Sequence, residues 1–200
     1  MEDRKAKVER KTKETDVTVE LNLDGKGKYE IDTGVGFMDH MLMHLSKHSG
    51  IDMVVKATGD LDVDAHHTAE DIAISLGQAL TKALGDKKGI ARYGHSSVPM
   101  EDALANVSVD LSGRSYFVYN VSYKTAKIGD FDVECLAEML KSLAGNGRFN
   151  LHINVAYGEN SHHIAEAIFK ALGQALASAV KIAGTVTVAS SEIPSTKGIL

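Results

Sequence analysis

The sequence predicts an α+β fold built twice: β-hairpin, helix, strand, helix, then the same again, as mixed four-stranded sheets backed by helices. Three observations carry this. The pentad His66-His67-Thr68-Ala69-Glu70 returns 96 residues later as His162-His163-Ile164-Ala165-Glu166. Each pentad opens an apolar stripe at helical spacing. Each is preceded by strand-like segments and a shorter helix in the same order. A repeat of only two copies implies a pseudo-two-fold, not a solenoid, and layered sheets and helices bury both apolar faces. The halves are expected at 1–95 and 96–200, packed as one compact unit, the second carrying the C-terminal tail.

The elements follow in order. The start is highly charged through Lys13 and reads as a frayed or edge segment. Val17 to Leu23 alternates apolar and polar residues, a half-buried strand. Asp24-Gly25-Lys26-Gly27 is a turn, and Lys28 to Ile31 is expected to return as the second hairpin strand. Phe37 to Lys47 is a helix, closed by Gly50. Ile51 to Ala57 is a strand, and an acidic link (Asp60, Asp62, Asp64) leads to the first pentad and its helix, with Ile72, Leu76, Leu80 and Leu84 inward and Gly85 as a stop. The second half repeats the plan. Ala105 to Leu111 and Tyr116 to Val121 are strands about a Ser112-Gly113-Arg114 turn. Val133 to Leu143 is a helix and Phe149 to Val155 a strand. The second pentad then starts a helix with Ile164, Ile168, Leu172, Leu176 and Val180 inward.

Composition narrows the function. Two hundred residues with 44% hydrophobic content support a sizeable core. A net charge of −5 with no basic block argues against nucleic acid as the main partner. The single cysteine, Cys135, excludes an intrachain disulfide and fits a reducing compartment. No apolar signal segment follows the charged start and no run reaches membrane-span length, so a soluble cytoplasmic protein with no membrane partner is expected.

The pentads carry the chemistry. Residues three and four apart share a helical face, so Glu70 can pair with His66 or with His67. The adjacent histidines point roughly 100° apart and are poorly placed to chelate one ion together. The simpler arrangement pairs one histidine with the glutamate and sends the other toward a second site. Imidazole and carboxylate donors without a cysteine pair favour Mn, Fe, Co, Ni or Zn over Ca or Mg and do not decide among them. The tail around Ser195-Thr196-Lys197-Gly198 is either a disordered end or, through its hydroxyl and ammonium, an anion holder.

Asp39-His40-Met41-Leu42, Ala57-Thr58-Gly59-Asp60-Leu61, His66-His67-Thr68-Ala69-Glu70-Asp71, Gly158-Glu159-Asn160-Ser161-His162-His163 and Ser195-Thr196-Lys197-Gly198 together resemble the imidazoleglycerol-phosphate dehydratases of histidine biosynthesis, from about Glu9 to the C-terminus. The resemblance implies a hydro-lyase that converts D-erythro-imidazole-glycerol phosphate to imidazole-acetol phosphate. It also implies a ribosomal protein S5 domain 2-like duplicated fold, two Mn2+ per subunit, and a 24-subunit homo-oligomer built from trimers with sites between subunits.

By the same resemblance the metal ligands are His40, His66, His67 and Glu70 in the first half, and His162, His163 and Glu166 in the second. Where the family commonly has a further histidine, this chain has Glu138, 98 residues from His40. Glu138 is either a substitute ligand, since a carboxylate holds the same metals, or a surface glutamate. The substrate contacts implied are Glu14, His44 (often glutamine in relatives), Arg92, Arg114, Lys170, Ser195 and Lys197, the basic ones gripping phosphate.

The hard step is loss of a proton from a carbon that no carbonyl activates. The substrate's imidazole can serve as electron sink if a metal stabilises its deprotonated form. Loss of the neighbouring hydroxyl then gives a diazafulvene-like species, and removal of the carbon-bound proton gives an enol that tautomerises to the ketone. Glu14 lies outside both pentads and is the first candidate for the proton shuttle. The pentad glutamates Glu70 and Glu166, or a metal-bound water, compete for that role. Two other classes use the same ligands: a dinuclear metallohydrolase, and a non-catalytic protein with the metals as assembly staples.

Overall fold

The computed structural model describes residues 4–182, 192–198 and 200. Met1–Asp3 of the charged start, and Ser190, Ser191 and Ile199 of the tail, lie outside them. The first half runs β1 (Lys5–Lys11), β2 (Thr15–Asn22), β3 (Tyr29–Asp32), α1 (Gly36–Ser49), β4 (Asp52–Gly59) and α2 (His66–Leu84). The second runs β5 (Tyr93–Met100), β6 (Ala103–Asp110), β7 (Tyr116–Asn120), a short β8–β9 hairpin (Lys127–Ile128, Phe131–Asp132), α3 (Glu134–Gly147), β10 (Asn150–Tyr157) and α4 (Ser161–Val180). The first sheet has the order β1-β2-β4-β3 and the second β5-β6-β10-β7.

Each sheet is backed by its own two helices, and the helical layers face each other, α2 on α3 and α1 on α4. The layers are therefore sheet, helices, helices, sheet. Inward residues of β2 and β4 (Val17, Val19, Leu21, Met53, Val55) and of β6 and β10 (Ala105, Val107, Val109, Leu151, Ile153) are buried against them. The outward alternates stay wet, the pattern that period-2 strands with one covered face require. Both interhelical crossings turn on glycine. A side chain at Gly77 of α2 would run into the Gly147 and Leu143 backbone of α3, and one at its repeat mate Gly173 of α4 would meet α1 at Leu45 and His48.

The structure corrects the expected hairpins. Strand 28–31 does not return beside 17–23. β4 lies between them, antiparallel to β2 and parallel to β3. The loop after β2 is carried across the start of β4, because Asp52 Oδ1 accepts the backbone N–H of Lys26 and Lys28 at 2.8 and 2.9 Å. Gly27 N–H then donates to the Gly50 carbonyl at 2.9 Å. Parallel neighbours need a crossover, and α1 supplies it. The second half does the same, with β7 parallel to β10 through α3. The true hairpins are β1–β2 and β5–β6. The charged start is thus an edge strand, and residues 93–100, for which no strand was expected, are its repeat mate. β5 runs through the expected boundary at 95–96, so the halves join in the loop before Tyr93.

The β8–β9 hairpin is an insertion. The repeat offset is 88 residues from Lys5 to Tyr93 and 98 from Gly36 to Glu134. It then falls to 96 between the pentads, where the acidic link before α2 is two residues longer than its mate.

Candidate metal centre

The second pentad sits on the first turn of α4. Asn160 caps this helix, its side chain accepting the N–H of His162 and His163 at 2.9 and 3.3 Å. In α2, Asp64 Oδ1 accepts the His66 N–H at 2.7 Å. These hydrogen bonds fix where the imidazoles leave the backbone. One turn on, His162 Nε2 lies 3.0 Å from Glu166 Oε1, the i,i+4 choice of the two the pentad allowed. His40 Nε2, from α1 of the other half, lies 2.9 Å from the same oxygen. His40, His162 and Glu166 offer three donors within 4.8 Å of one another. The α1–α4 crossing brings them together, so the cluster takes ligands from both halves.

Charges around this cluster keep it in ligating form. Lys170 Nζ donates to Glu166 Oε2 at 2.6 Å, one helical turn further along. Burial alone would raise the Glu166 pKa. Hydrogen bonds from Lys170, His40 and His162 outweigh it and hold the carboxyl at about 2. His44 Nε2 lies 3.2 Å from His40 Nε2, and burial brings its pKa down to about 4 against the pull of Glu166, which keeps that ring neutral. Phe37 packs edge-on to His162 with centroids 5.4 Å apart, and Phe131 of β9 backs Phe37 at 5.3 Å. Two imidazoles and an ionised carboxylate suit a borderline divalent ion, so the residues present fit the expected metal.

The α2–α3 crossing copies this arrangement in part. Ser142 Oγ donates to Glu70 Oε1 at 3.3 Å. Ser142 and Glu70 are the repeat mates of His44 and Glu166. Glu138 therefore stands one turn before Ser142, as His40 stands one turn before His44. Its Oε2 accepts from Lys141 Nζ at 3.1 Å, and no three-donor group forms there among the described residues.

The second histidine of each pentad pairs with an aspartate instead. His67 Nδ1 lies 2.9 Å from Asp60 Oδ2, and His163 Nδ1 lies 2.5 Å from Asp102 Oδ1. A carboxylate on Nδ1 fixes the tautomer and leaves Nε2 as the ligating nitrogen. The Asp60 hydrogen bond and then the Glu14 charge raise the His67 pKa. Hydrogen bonds from His163 and from the Asn160 and Glu159 backbone hold the Asp102 carboxyl well below the usual range. Neither aspartate was expected to serve the site. Asp60 sits seven residues before His67, a weak signal, and Asp102 comes from a distant turn with no signal at all.

Of the expected substrate contacts, Lys170 and His44 join the cluster. Arg92 forms a two-point pair with Asp110 at 2.7 and 3.2 Å and donates to the Pro194 carbonyl at 2.9 Å, which ties the tail to the second half. Within the tail, Ser195 Oγ accepts the Lys197 N–H at 3.2 Å. Arg114 is exposed in the loop before β7, and Glu14 is exposed in the β1–β2 turn. Among the described residues no hydrogen bond or ion pair joins these groups to the cluster.

A sequence model of the imidazoleglycerol-phosphate dehydratase family matches residues 33–176. The chain is 54% identical over 197 residues to the imidazoleglycerol-phosphate dehydratase of Desulforudis audaxviator, covering 98% of each. A crystal structure of the enzyme from Staphylococcus aureus superposes with a TM-score of 0.82 at 38% identity, covering 90% of this chain and 99% of that one. One from Pyrococcus furiosus does so with a TM-score of 0.82 at 42% identity, covering 96% and 100%. With the duplicated fold and the His–Glu cluster at its helix crossing, these likenesses place the chain in the imidazoleglycerol-phosphate dehydratase family.

Proposed function

We infer that the chain performs the reaction its family is named for, the dehydration of imidazole-glycerol phosphate to imidazole-acetol phosphate in histidine biosynthesis. The observation that carries this is the His40–His162–Glu166 group with Lys170 beside it. The ligands are His40, His162 and Glu166 at one site, and His66, Glu70 and Glu138 at the other. His67 and His163 present Nε2 outward, to sites shared with a neighbouring chain. Mn2+, two per subunit, is the proposed cofactor, and it would supply the positive charge that stabilises the substrate's deprotonated imidazole. Glu14 moves the carbon-bound proton, with no carboxylate partner among the described residues to compete for it. Arg92, Arg114, Lys170, Ser195 and Lys197 hold the phosphate, and His44 hydrogen-bonds the substrate as a neutral ring.

A homo-oligomer, in the family's case a 24-mer of trimers, fits the surface. The outer face of the second sheet carries the cross-strand rows Tyr93–Asp110–Asn150–Tyr116 and His95–Ser108–His152–Val118. Its charge at Asp110 is paired to Arg92. The same face of the first sheet carries Lys7–Glu20–Val54–Glu30 and Glu9–Thr18–Lys56–Asp32, laced with ion pairs. A tyrosine-rich, nearly uncharged face can meet a second copy of itself without like-charge repulsion. No helix among the described residues is long and apolar enough to cross a membrane, and we place the enzyme in the cytoplasm.

The test is dehydration of imidazole-glycerol phosphate by metal-stripped protein as Mn(II) is returned stepwise. Activity should rise as about two ions bind per chain. No turnover at full loading would overturn the assignment. Saturation at one ion would show that the Glu138 side does not hold metal.

A further inference from the structure

The two halves hand the same imidazole to different carboxylates. His67 and His163 occupy one position of the repeat. His163 is held by Asp102, from the β5–β6 turn. At the offset that relates Lys5 to Tyr93, the mate of Asp102 is Glu14, in the β1–β2 turn. Glu14 does not hold His67. Asp60, at the end of β4, does so instead. At the offset that relates β4 to β10, the second half has Gly158 in its place.

The consequences differ for the two turns. Asp102 is saturated: its Oδ2 also accepts the N–H of Glu159 and Asn160 at 2.6 and 2.8 Å. The Glu14 carboxylate takes no hydrogen bond or ion pair among the described residues. Asp60 also secures the place of Glu14, because its backbone N–H donates to the Glu14 carbonyl at 3.1 Å. Its Oδ1 is buried without a donor, so His67 is the one partner its carboxylate has among the described residues. Through backbone and side chain together, Asp60 sets Glu14 and His67 in one frame.

We propose that Asp60 is a positioning residue that relieves Glu14 of holding His67, leaving the Glu14 carboxylate unengaged and fixed beside that imidazole for proton transfer. This rests on the reading of Glu14 as the proton shuttle. Without Asp60, Glu14 would swing onto His67 Nδ1, as Asp102 sits on His163.

The experiment compares E14Q, D60A, D60N and the double variant E14Q/D60A in the full assembly, with size checked by light scattering. Mn(II) affinity is read by calorimetry and kcat at saturating metal. D60A should bind Mn(II) on the order of 10-fold more weakly, the effect of losing a carboxylate behind a ligating histidine. It should also lose about 100-fold in kcat, the worth of a positioned acid–base group. D60N keeps an acceptor for the Nδ1–H and should recover most of both. The double variant should be no slower than E14Q alone, because both changes remove one function. Multiplying losses in the double variant, or D60A turnover within about threefold of wild type beside an inactive E14Q, would overturn the role of Asp60. Near-wild-type kcat in E14Q would instead overturn the Glu14 reading beneath it.

Discussion

Placing alanine at the helix crossings tests whether the two halves are held apart at the distance the site needs. A methyl at Gly77 would lie 2.6 Å from Gly147 N, 2.7 Å from Leu143 O and 2.9 Å from the Asn146 carbonyl carbon. All three are backbone atoms, so no side chain can move aside. Ordinary contact is about 3.5 Å, so α2 and α3 must part by roughly 0.8 Å. Overpacking of this kind costs about 1–3 kcal/mol, and the better helix propensity of alanine returns about 1 kcal/mol. G77A should be destabilised by roughly 1–2 kcal/mol at the upper end of that balance. Gly145 of α3 is the control, since a methyl there meets nothing within 4 Å, and G145A should gain about 1 kcal/mol. Gly173 falls between, its nearest neighbour being the His48 side chain at 2.9 Å. Urea unfolding at one protein concentration reads the series, because assembly couples to stability. A midpoint for G77A at or above that of G145A would refute the close crossing.

Two further outcomes follow from a buried thiol and a half-buried tyrosine pair away from the site. Burial pushes the Cys135 thiol up to about 11, so native protein at pH 8 should react with a disulfide reagent far more slowly than urea-unfolded protein, and equal rates would contradict the packing of α3. Tyr119 and Tyr123 share a hydroxyl contact of 2.8 Å, and burial pushes Tyr119 up to about 12 and Tyr123 higher still. Above pH 10 the unfolded chain loses protons that the native chain keeps, so stability should fall as pH rises from about 10 through 12. Tyrosinate absorbance titrating in a single step near 10 in the native protein would show that the pair is not shielded from water.

By itself the sequence determined what local chemistry determines. Apolar residues at helical spacing placed α2 and α4, the glycine after Ser49 closed α1, and the pentads announced ligands because two histidines and a glutamate fall within one helical turn. Alternation found β2, β4, β6 and β10. The edge strands β1 and β5 were hard to read, since Lys5–Lys11 shows charge and Tyr93–Met100 carries Gly94 and Pro99 in place of a clean apolar alternation. Only the tertiary structure decided strand order. A turn signal at 24–27 says that the chain reverses, not which strand it meets next, and Asp52 makes that choice from 26 residues beyond Lys26. The joining of His40 to His162 and Glu166 was likewise beyond local reading, because it depends on how closely α1 crosses α4. The same holds for Asp60 and Asp102. Which carboxylate reaches an imidazole is settled by the packing of turns against helix ends, a long-range property that no short window of residues contains.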